Sequence, residues 1–455
     1  MKHDHDATSG TPKRRLLLVE LNEVNLDIVK SYLDSDLLSL PGFEQLLARG
    51  VVRTSSEAEY EHLEPWVQWV SAHSGLTYAE HGVFRLGDIV GSKVPQIFEQ
   101  LEAQGLSVGA VSPMNAENRL RNPAYFIPDP WTQTPSDSSF WSRKLTVALG
   151  QAVNDNASAR LTPATLLTLL GAFGRFSTLK RWKRYITLAT GSRGRPWRKA
   201  LFLDLLLADI HQRLWCAHRP DFSVLFLNAG AHIQHHYLFN SKALAQNKLE
   251  NPAWYCDKQY DPIAEMLLIY DDILQDLLAR EDLDVLVATG LTQVPYDRVK
   301  FYYRLRDHAS FLEKIGLAPS SITPLMTRDF IIDFKDQNAT AHAAARLGGI
   351  VVANDGAPLF SEIEDRGNGL FVTLTYPKEI TDTTCIIVDG QTISLKEHVA
   401  FVAVKNGMHS GTGFAVLPPS ISGDALADGE HVRGLALVIV EYFGASDQGR
   451  SVAWE

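Results

Sequence analysis

The sequence predicts an α/β fold with a central, mainly parallel β-sheet and helices on both faces, and three observations carry that prediction. Short, nearly continuous apolar runs at 16–21, 223–227 and 284–288 read as strands buried on both faces. Helical stretches separate them, among them 200–218 and the amphipathic 94–104 and 263–278. Glycine and proline punctuate the helices, with Pro65 ahead of one expected over 66–73 and Gly105 behind the one over 94–104. Strands and helices in alternation build a wound, largely parallel sheet.

Taken in order, 16–21 is the first strand, 22–25 the turn after it, and 26–33 has helical apolar spacing. Pro41-Gly42 breaks the chain before a short helix over 43–48, and 51–54 reads as the second strand. The helix over 66–73 ends before Gly75, and 107–111 is the third strand. Residues 115–200 interrupt this rhythm as a helical cap insertion. Pro123, Pro128, Pro130 and Pro135 make its first part loop-like, and 164–173 is an apolar helix. Arginines and lysines then crowd the stretch from Arg175 to Lys199, interleaved with Trp182, Tyr185 and Trp197. They form either a solvated helical face or a cap turned to an anionic substrate. After the strand at 284–288, 301–317 holds a helix stopped by Gly316, and 320–400 is expected as a smaller β-containing insertion. A strand over 414–417 and a helix over 435–443 close a single domain spanning 16–455.

The chain's 455 residues suffice for two average domains or one large α/β domain with insertions, and 45% hydrophobic with 21% charged residues is ordinary globular composition. A net charge of −10 argues against a dedicated nucleic-acid binder. Cys216, Cys256 and Cys385 lie far apart, which excludes a disulfide scaffold and a cysteine-rich zinc site and suits a reducing, cytoplasmic setting. Residues 1–15 are expected to be a disordered tail, and the apolar run behind them is too short for a signal-peptide core or a membrane span.

Chemistry concentrates at 221–238. A buried strand ends at Leu227, Asn228 to Gly230 turn the chain, and His232, His235 and His236 follow at helical spacings that share one face. Imidazole is the commonest protein metal ligand, and open α/β sheets place their sites at the carboxyl ends of strands. A helix carrying histidines on a wet face is the alternative. Glu20 interrupts a buried strand and needs a partner. Glu23 reads as a surface residue, and His62 and His73 as structural ones.

Several segments, in this order, resemble the alkaline phosphatase superfamily, in particular its type I phosphodiesterase and nucleotide pyrophosphatase branch. Leu16-Leu-Leu-Val-Glu-Leu-Asn22 resembles the opening strand that ends in a metal-binding Asp. Pro41-Gly-Phe-Glu-Gln-Leu-Leu-Ala-Arg-Gly-Val51 resembles the next helix and turn. Trp69-Val-Ser-Ala-His-Ser-Gly75 and Glu80-His81-Gly82-Val83 resemble the helix after the nucleophile and the loop beyond it. Ile233-Gln234-His235 resembles the end of an Asp-x-x-x-His ligand motif, and His409-Ser-Gly-Thr-Gly413 the last ligand histidine with its glycine.

The resemblance implies a three-layer fold and a two-metal site that activates a hydroxyl nucleophile and stabilises charge on phosphoryl oxygens. The departures are specific. Asn22, Ala231 and Thr289 stand where ligand acids are expected, Gly290 stands at the partner histidine, and Glu64-Pro65 replaces the nucleophile. What survives is one half-site of His235 and His409, with His232 as a third nitrogen. It suits one divalent ion, zinc before manganese, and a site without metal is the alternative. Glu64 is the expected acid or base beside His232 and His235, and Glu20, Asn22, Thr289 and Gln293 are the expected polar contacts to substrate.

The implied activity is hydrolysis of a phosphate ester or phosphodiester through an altered, metal-poor site. Group transfer in glycan or metabolite biosynthesis, or ligand binding without turnover, are the alternatives. The expected partner is an anionic small molecule or glycan-linked substrate, with no nucleic acid and no membrane span.

Overall fold

The computed structural model describes residues 15–154, 162–244, 248–325 and 328–444. Apart from Arg15, the tail expected over 1–15 lies outside these. Contacts divide the described residues into two compact units, one within Met1–Gln246, Asp261–Val294 and Met408–Glu455, the other within Asn247–Tyr260 and Pro295–Gly407.

The first unit opens on β1 (Arg15–Leu21), buried throughout after Arg15. Asn25 caps α1 (Leu26–Asp34) by accepting from the Asp27 amide. Proline begins both α2 (Pro41–Leu47) and α3 (Pro65–Ser74), where a first turn has no use for its missing N–H. Between these two helices runs β2 (Val52–Ser55). Gly75 ends α3 in the left-handed conformation, φ 75°, which a glycine adopts without steric cost. A capping box starts α4 (Tyr78–His81), and another starts α5 (Ile97–Ala103). The helix expected over 94–104 begins only at Ile97, because Pro95 disfavours helical backbone at the residue before it and Gln96 is the cap. Next come β3 (Val108–Val111), β4 (Tyr125–Ile127), α6 (Phe140–Asn154), α7 (Pro163–Phe176), α8 (Trp182–Thr190) and α9 (Trp197–His218). The unit continues through β5 (Phe222–Leu227), α10 (Ala229–Tyr237), α11 (Pro262–Leu278) and β6 (Leu283–Ala288).

From there β7 (Thr292–Leu305) leads into the second unit, which holds α12 (His308–Lys314), β8 (Ser321–Pro324), β9 (Asp329–Asp333), α13 (Gln337–Gly348) and β10 (Val351–Val352). It then adds β11 (Glu362–Asp365), β12 (Gly369–Thr373), β13 (Cys385–Val388) and β14 (Gln391–Ser394), and β15 (Val399–Ser410) leads out. Its strands form a four-stranded antiparallel sheet, β11-β12-β9-β8, and a three-stranded one, β10-β13-β14. Phe311, Leu312, Phe330, Ile332, Leu347 and Val372 are among the side chains of its own buried core. The β-rich runs read at 370–374 and 385–388 are β12 and β13. The insertion boundaries expected near 320 and 400 fall inside this unit.

The chain returns through β16 (Thr412–Val416), β17 (Glu430–His431) and α14 (Gly434–Tyr442). The sheet of the first unit has eight strands in the order β17-β2-β16-β6-β1-β5-β3-β4. Only β16 runs against its neighbours, so the sheet is mainly parallel, as expected. At its centre β1 pairs in parallel with both β5 and β6. Alternate β1 residues face opposite layers. Leu16 and Leu18 meet Trp69 of α3, Phe98 of α5 and Leu435 of α14 in one core, while Leu17 and Val19, equally buried, point to the other face. There α9 packs on β3 and β5, and α11 on β6. Burial on both faces is why these strands read as nearly continuous apolar runs. No helix among the described residues is long and apolar enough to cross a membrane.

Candidate metal centre

The site forms at the carboxyl edge of β1 and β5, where the chain turns out of the sheet. Past Leu21, the Asn22 amide still donates to the Leu227 carbonyl at 3.1 Å, and the Glu23 amide donates to the Thr289 carbonyl at 3.0 Å. Glu23 then takes the left-handed conformation, φ 60°, unusual for a residue with a Cβ. Further bonds hold this turn. Gln234 Nε2 donates to the Glu23 carbonyl at 2.8 Å, and Asn25 Nδ2 to the Gln293 carbonyl at 3.0 Å.

The turn places Glu23 inward, with 2% of its surface exposed. Its Oε2 lies 3.1 Å from His235 Nε2 and 3.3 Å from His409 Nε2, and the two nitrogens are 3.2 Å apart. Gln293 Nε2 donates to the same oxygen and to the Ala231 carbonyl. Burial alone would raise the Glu23 carboxyl, but the charges and hydrogen bonds of His409 and His235 outweigh it and hold the group well below the ordinary carboxylate range. Glu64, the residue before Pro65 at the amino end of α3, brings Oε2 to 3.8 Å from His409 Nδ1. His235, His409 and Glu64 are partly exposed, so the cluster opens to solvent.

His235 is set in place by an indirect cap. Asn228 gives α10 no side-chain cap. Instead, Asp204 of α9 accepts from the Ala229 amide and from the Tyr270 hydroxyl, both at 2.7 Å, and that hydroxyl accepts from the Gly230 amide at 2.8 Å. The buried Asp204 carboxyl thereby serves a helix amino terminus whose donors would otherwise lack partners. Burial pushes its pKa up to about 6.

Of the residues singled out in the sequence, the structure brings His235, His409, Glu64 and Gln293 together. His232 is not part of the group. Its ring lies edge-on to His236 with centroids 4.8 Å apart, and the ligand-bearing cluster among the described residues is Glu23, His235 and His409. Gln293 holds the Glu23 carboxylate. Asn22 is buried beside the cluster, its Oδ1 accepting from Trp69 Nε1 and its Nδ2 donating to Asn228 Oδ1, both at 2.8 Å. Thr289 Oγ1 accepts from the Phe414 amide at 2.9 Å and so ties β6 to β16. Glu20, fully buried, pairs with His73 at 2.5 Å, which is the partner its place in a core strand required.

Glu23 corrects the surface role expected for it. Its signal in the sequence was local, a second carboxylate directly after the position where the resemblance demanded an acid and offered Asn22.

The donor set of Glu23, His235 and His409 has the geometry to hold a metal ion. Neighbouring ligand atoms of a tetrahedral zinc ion with bonds of ~2.0–2.1 Å are separated by ~3.3 Å, and the three edges here are 3.1, 3.2 and 3.3 Å. One carboxylate and two imidazoles leave a fourth position open, as in catalytic zinc sites. Where the resemblance places the acids of a second ion, ligand groups are lacking or engaged among the described residues. Ala231 carries none, Thr289 Oγ1 already accepts from Phe414, and Asn22 is engaged by Trp69 and Asn228.

No family model matches the sequence, and no curated protein does. Among solved structures, phosphonoacetate hydrolase from Sinorhizobium meliloti 1021 is similar at 12% identity over 95% of this chain and 96% of that one, with a TM-score of 0.43. Human ectonucleotide pyrophosphatase/phosphodiesterase 5 is similar at 10% identity over 95% of each chain, with a TM-score of 0.43. A mutant of the alkaline phosphatase PafA is similar at 10% identity over 96% of this chain and 97% of that one, with a TM-score of 0.41.

Proposed function

We propose that the chain is a hydrolase of phosphate esters or phosphodiesters that works with one divalent ion held by Glu23, His235 and His409. Zinc is the first choice for two nitrogens and one carboxylate oxygen, manganese the second. The observation that carries this reading is the triangle of ligand atoms beside Glu64, at the carboxyl edge of a parallel sheet. When bound, the ion supplies Lewis-acid polarisation of a phosphoryl oxygen.

The protein's own groups do the rest. Gln293 fixes the Glu23 oxygen through a side-chain donor, the outer-layer support that ligating carboxylates need. Glu64, with 33% of its side chain exposed, is placed to take a proton from attacking water or return one to the leaving group. The amino end of α3 turns its positive end to the same place and favours an anionic substrate. No alcohol stands at the start of α3, so the proposed route is direct attack by water. We read the second unit as an insertion in one alkaline-phosphatase-like domain, and the cytoplasm as its location because all three cysteines are free.

The test is Glu64→Gln, assayed on aryl phosphate and phosphodiester substrates with bound metal measured in parallel. Loss of a general acid or base lowers kcat by ~10²–10⁴-fold, with the metal retained and KM little changed. A variant as active as the parent would remove Glu64 from the mechanism. A variant that lost its metal would give Glu64 a holding role instead.

A further inference from the structure

The insertion helices leave an apolar surface uncovered. Along α7, Leu166, Leu167 and Leu170 are 49%, 70% and 56% exposed. Their spacing places them on one stripe, while Thr165, Ala172 and Phe176 on the opposite stripe are buried. Trp182 and Ile186, one turn apart on α8, are also exposed, and so is Leu179 between the two helices. The helices meet at Phe173, whose ring centroid lies 5.6 Å from that of Trp182. On α6, Phe140, Arg143, Lys144 and Val147 share an exposed face of mixed character. Exposed apolar side chains concentrated on adjoining helices mark a docking surface.

Charge indicates what docks. Residues 140–199 hold twelve of the chain's 43 arginines and lysines and one, Asp155, of its 53 acidic residues. Some of these cations are paired with acids of the neighbouring helices. Arg181 binds Asp209 and Asp276, Lys180 binds Asp276, Arg184 binds Asp272, and Arg198 binds Glu265. Arg143, Lys144, Arg175, Lys183, Arg193 and Lys199 are exposed. Leucine, tryptophan and phenylalanine bordered by exposed cations, on helices that carry almost no acids themselves, is the pattern of a helix lying in a membrane interface.

We propose that α6, α7 and α8 form a peripheral docking surface for an anionic lipid bilayer. The leucines, Trp182 and Ile186 enter the headgroup–acyl boundary while the cations meet lipid phosphates and carboxylates. Two copies of this surface facing each other would oppose like charges. An acidic protein would satisfy the cations but would need a matching hollow for each leucine. Acyl chains accept any arrangement of apolar side chains. The inference stands apart from the metal centre and does not depend on it.

The test is sedimentation of the full chain with vesicles of phosphatidylcholine, with and without phosphatidylserine. Binding is expected to be at least ~10-fold stronger on the anionic vesicles and to weaken as salt is raised. The double variant Leu167→Glu/Leu170→Glu, at two exposed positions and checked for an unchanged melting temperature, is expected to lose at least ~10-fold. Absence of vesicle binding by the parent chain, or equal binding by the variant, would overturn the proposal. Concentration-dependent self-association that the variant abolishes, with no vesicle binding, would assign the surface to a second copy instead.

Discussion

Restoring the acid that the resemblance expects at position 22 is predicted to damage the protein. Asn22 is 1% exposed and uses both ends of its amide. Its oxygen takes the Trp69 indole proton at 2.8 Å, and its nitrogen donates to Asn228 Oδ1 at 2.8 Å and approaches Glu23 Oε1 at 3.5 Å. In Asn22→Asp the indole bond survives, but an oxygen replaces the donor. Two like charges at that distance repel by roughly 5 kcal/mol at an effective dielectric of ~20. The cheaper escape is to keep the introduced carboxyl protonated, because Glu23 is held well below the ordinary carboxylate range, and at pH 7 this costs about 4 kcal/mol against an unfolded pKa of ~3.9. Asn228 can turn its amide to relieve its own contact, but not the charge on Glu23.

The metal-free variant should therefore lose about 4 kcal/mol at pH 7 and almost nothing near pH 4. The sign follows from proton binding. A carboxyl whose folded pKa is raised binds more protons folded than unfolded, so stability falls as pH rises through ~3.9 toward the folded value. Urea unfolding followed by tryptophan fluorescence, in chelator, across that range is the assay. A variant as stable as the parent at pH 7 would mean that a carboxylate at position 22 meets no net repulsion from Glu23.

Two further outcomes follow from the same framework. In Gly413→Ala, the new methyl carbon would overlap the Gly290 carbonyl oxygen and lie 2.6 Å from Thr54 Oγ1, and the first of these is backbone that cannot swing away. A loss of at least ~1–3 kcal/mol is expected, and an unchanged urea midpoint would contradict it. Asp204→Asn removes a buried carboxyl whose pKa is pushed up to about 6. The parent loses stability as pH rises from its unfolded value of ~3.9 to that figure, worth about 3 kcal/mol in all. Between pH 4 and pH 7 the variant should gain about that much relative to the parent, and parallel pH curves for the two proteins would exclude the effect.

The central sheet was legible because β1, β5 and β6 are buried on both faces and so read as apolar runs between capped helices. The long strands β7 and β15 were not. β7 alternates only in part between buried and exposed positions and carries Pro295, Asp297 and Arg298 in its middle, so neither a strand nor a helix period emerges. At the site, histidine spacing located α10 but could not rank its members. Only the tertiary position of His409 shows that His235 faces it and His232 does not. Glu23 was hidden for a conformational reason. A left-handed residue just after a strand reverses the side-chain alternation by which a reader assigns faces. Glu20 shows the converse. Its burial demanded a partner, and His73, itself read as structural, supplies it.

The claim that Glu23, His235 and His409 hold one ion is tested most directly by elemental mass spectrometry of the purified, untagged chain, repeated on His235→Ala and His409→Ala. Roughly one zinc or manganese per chain is expected in the parent and almost none in either variant. No bound metal in the parent after divalent ions are added back, or metal kept in both variants, would contradict it.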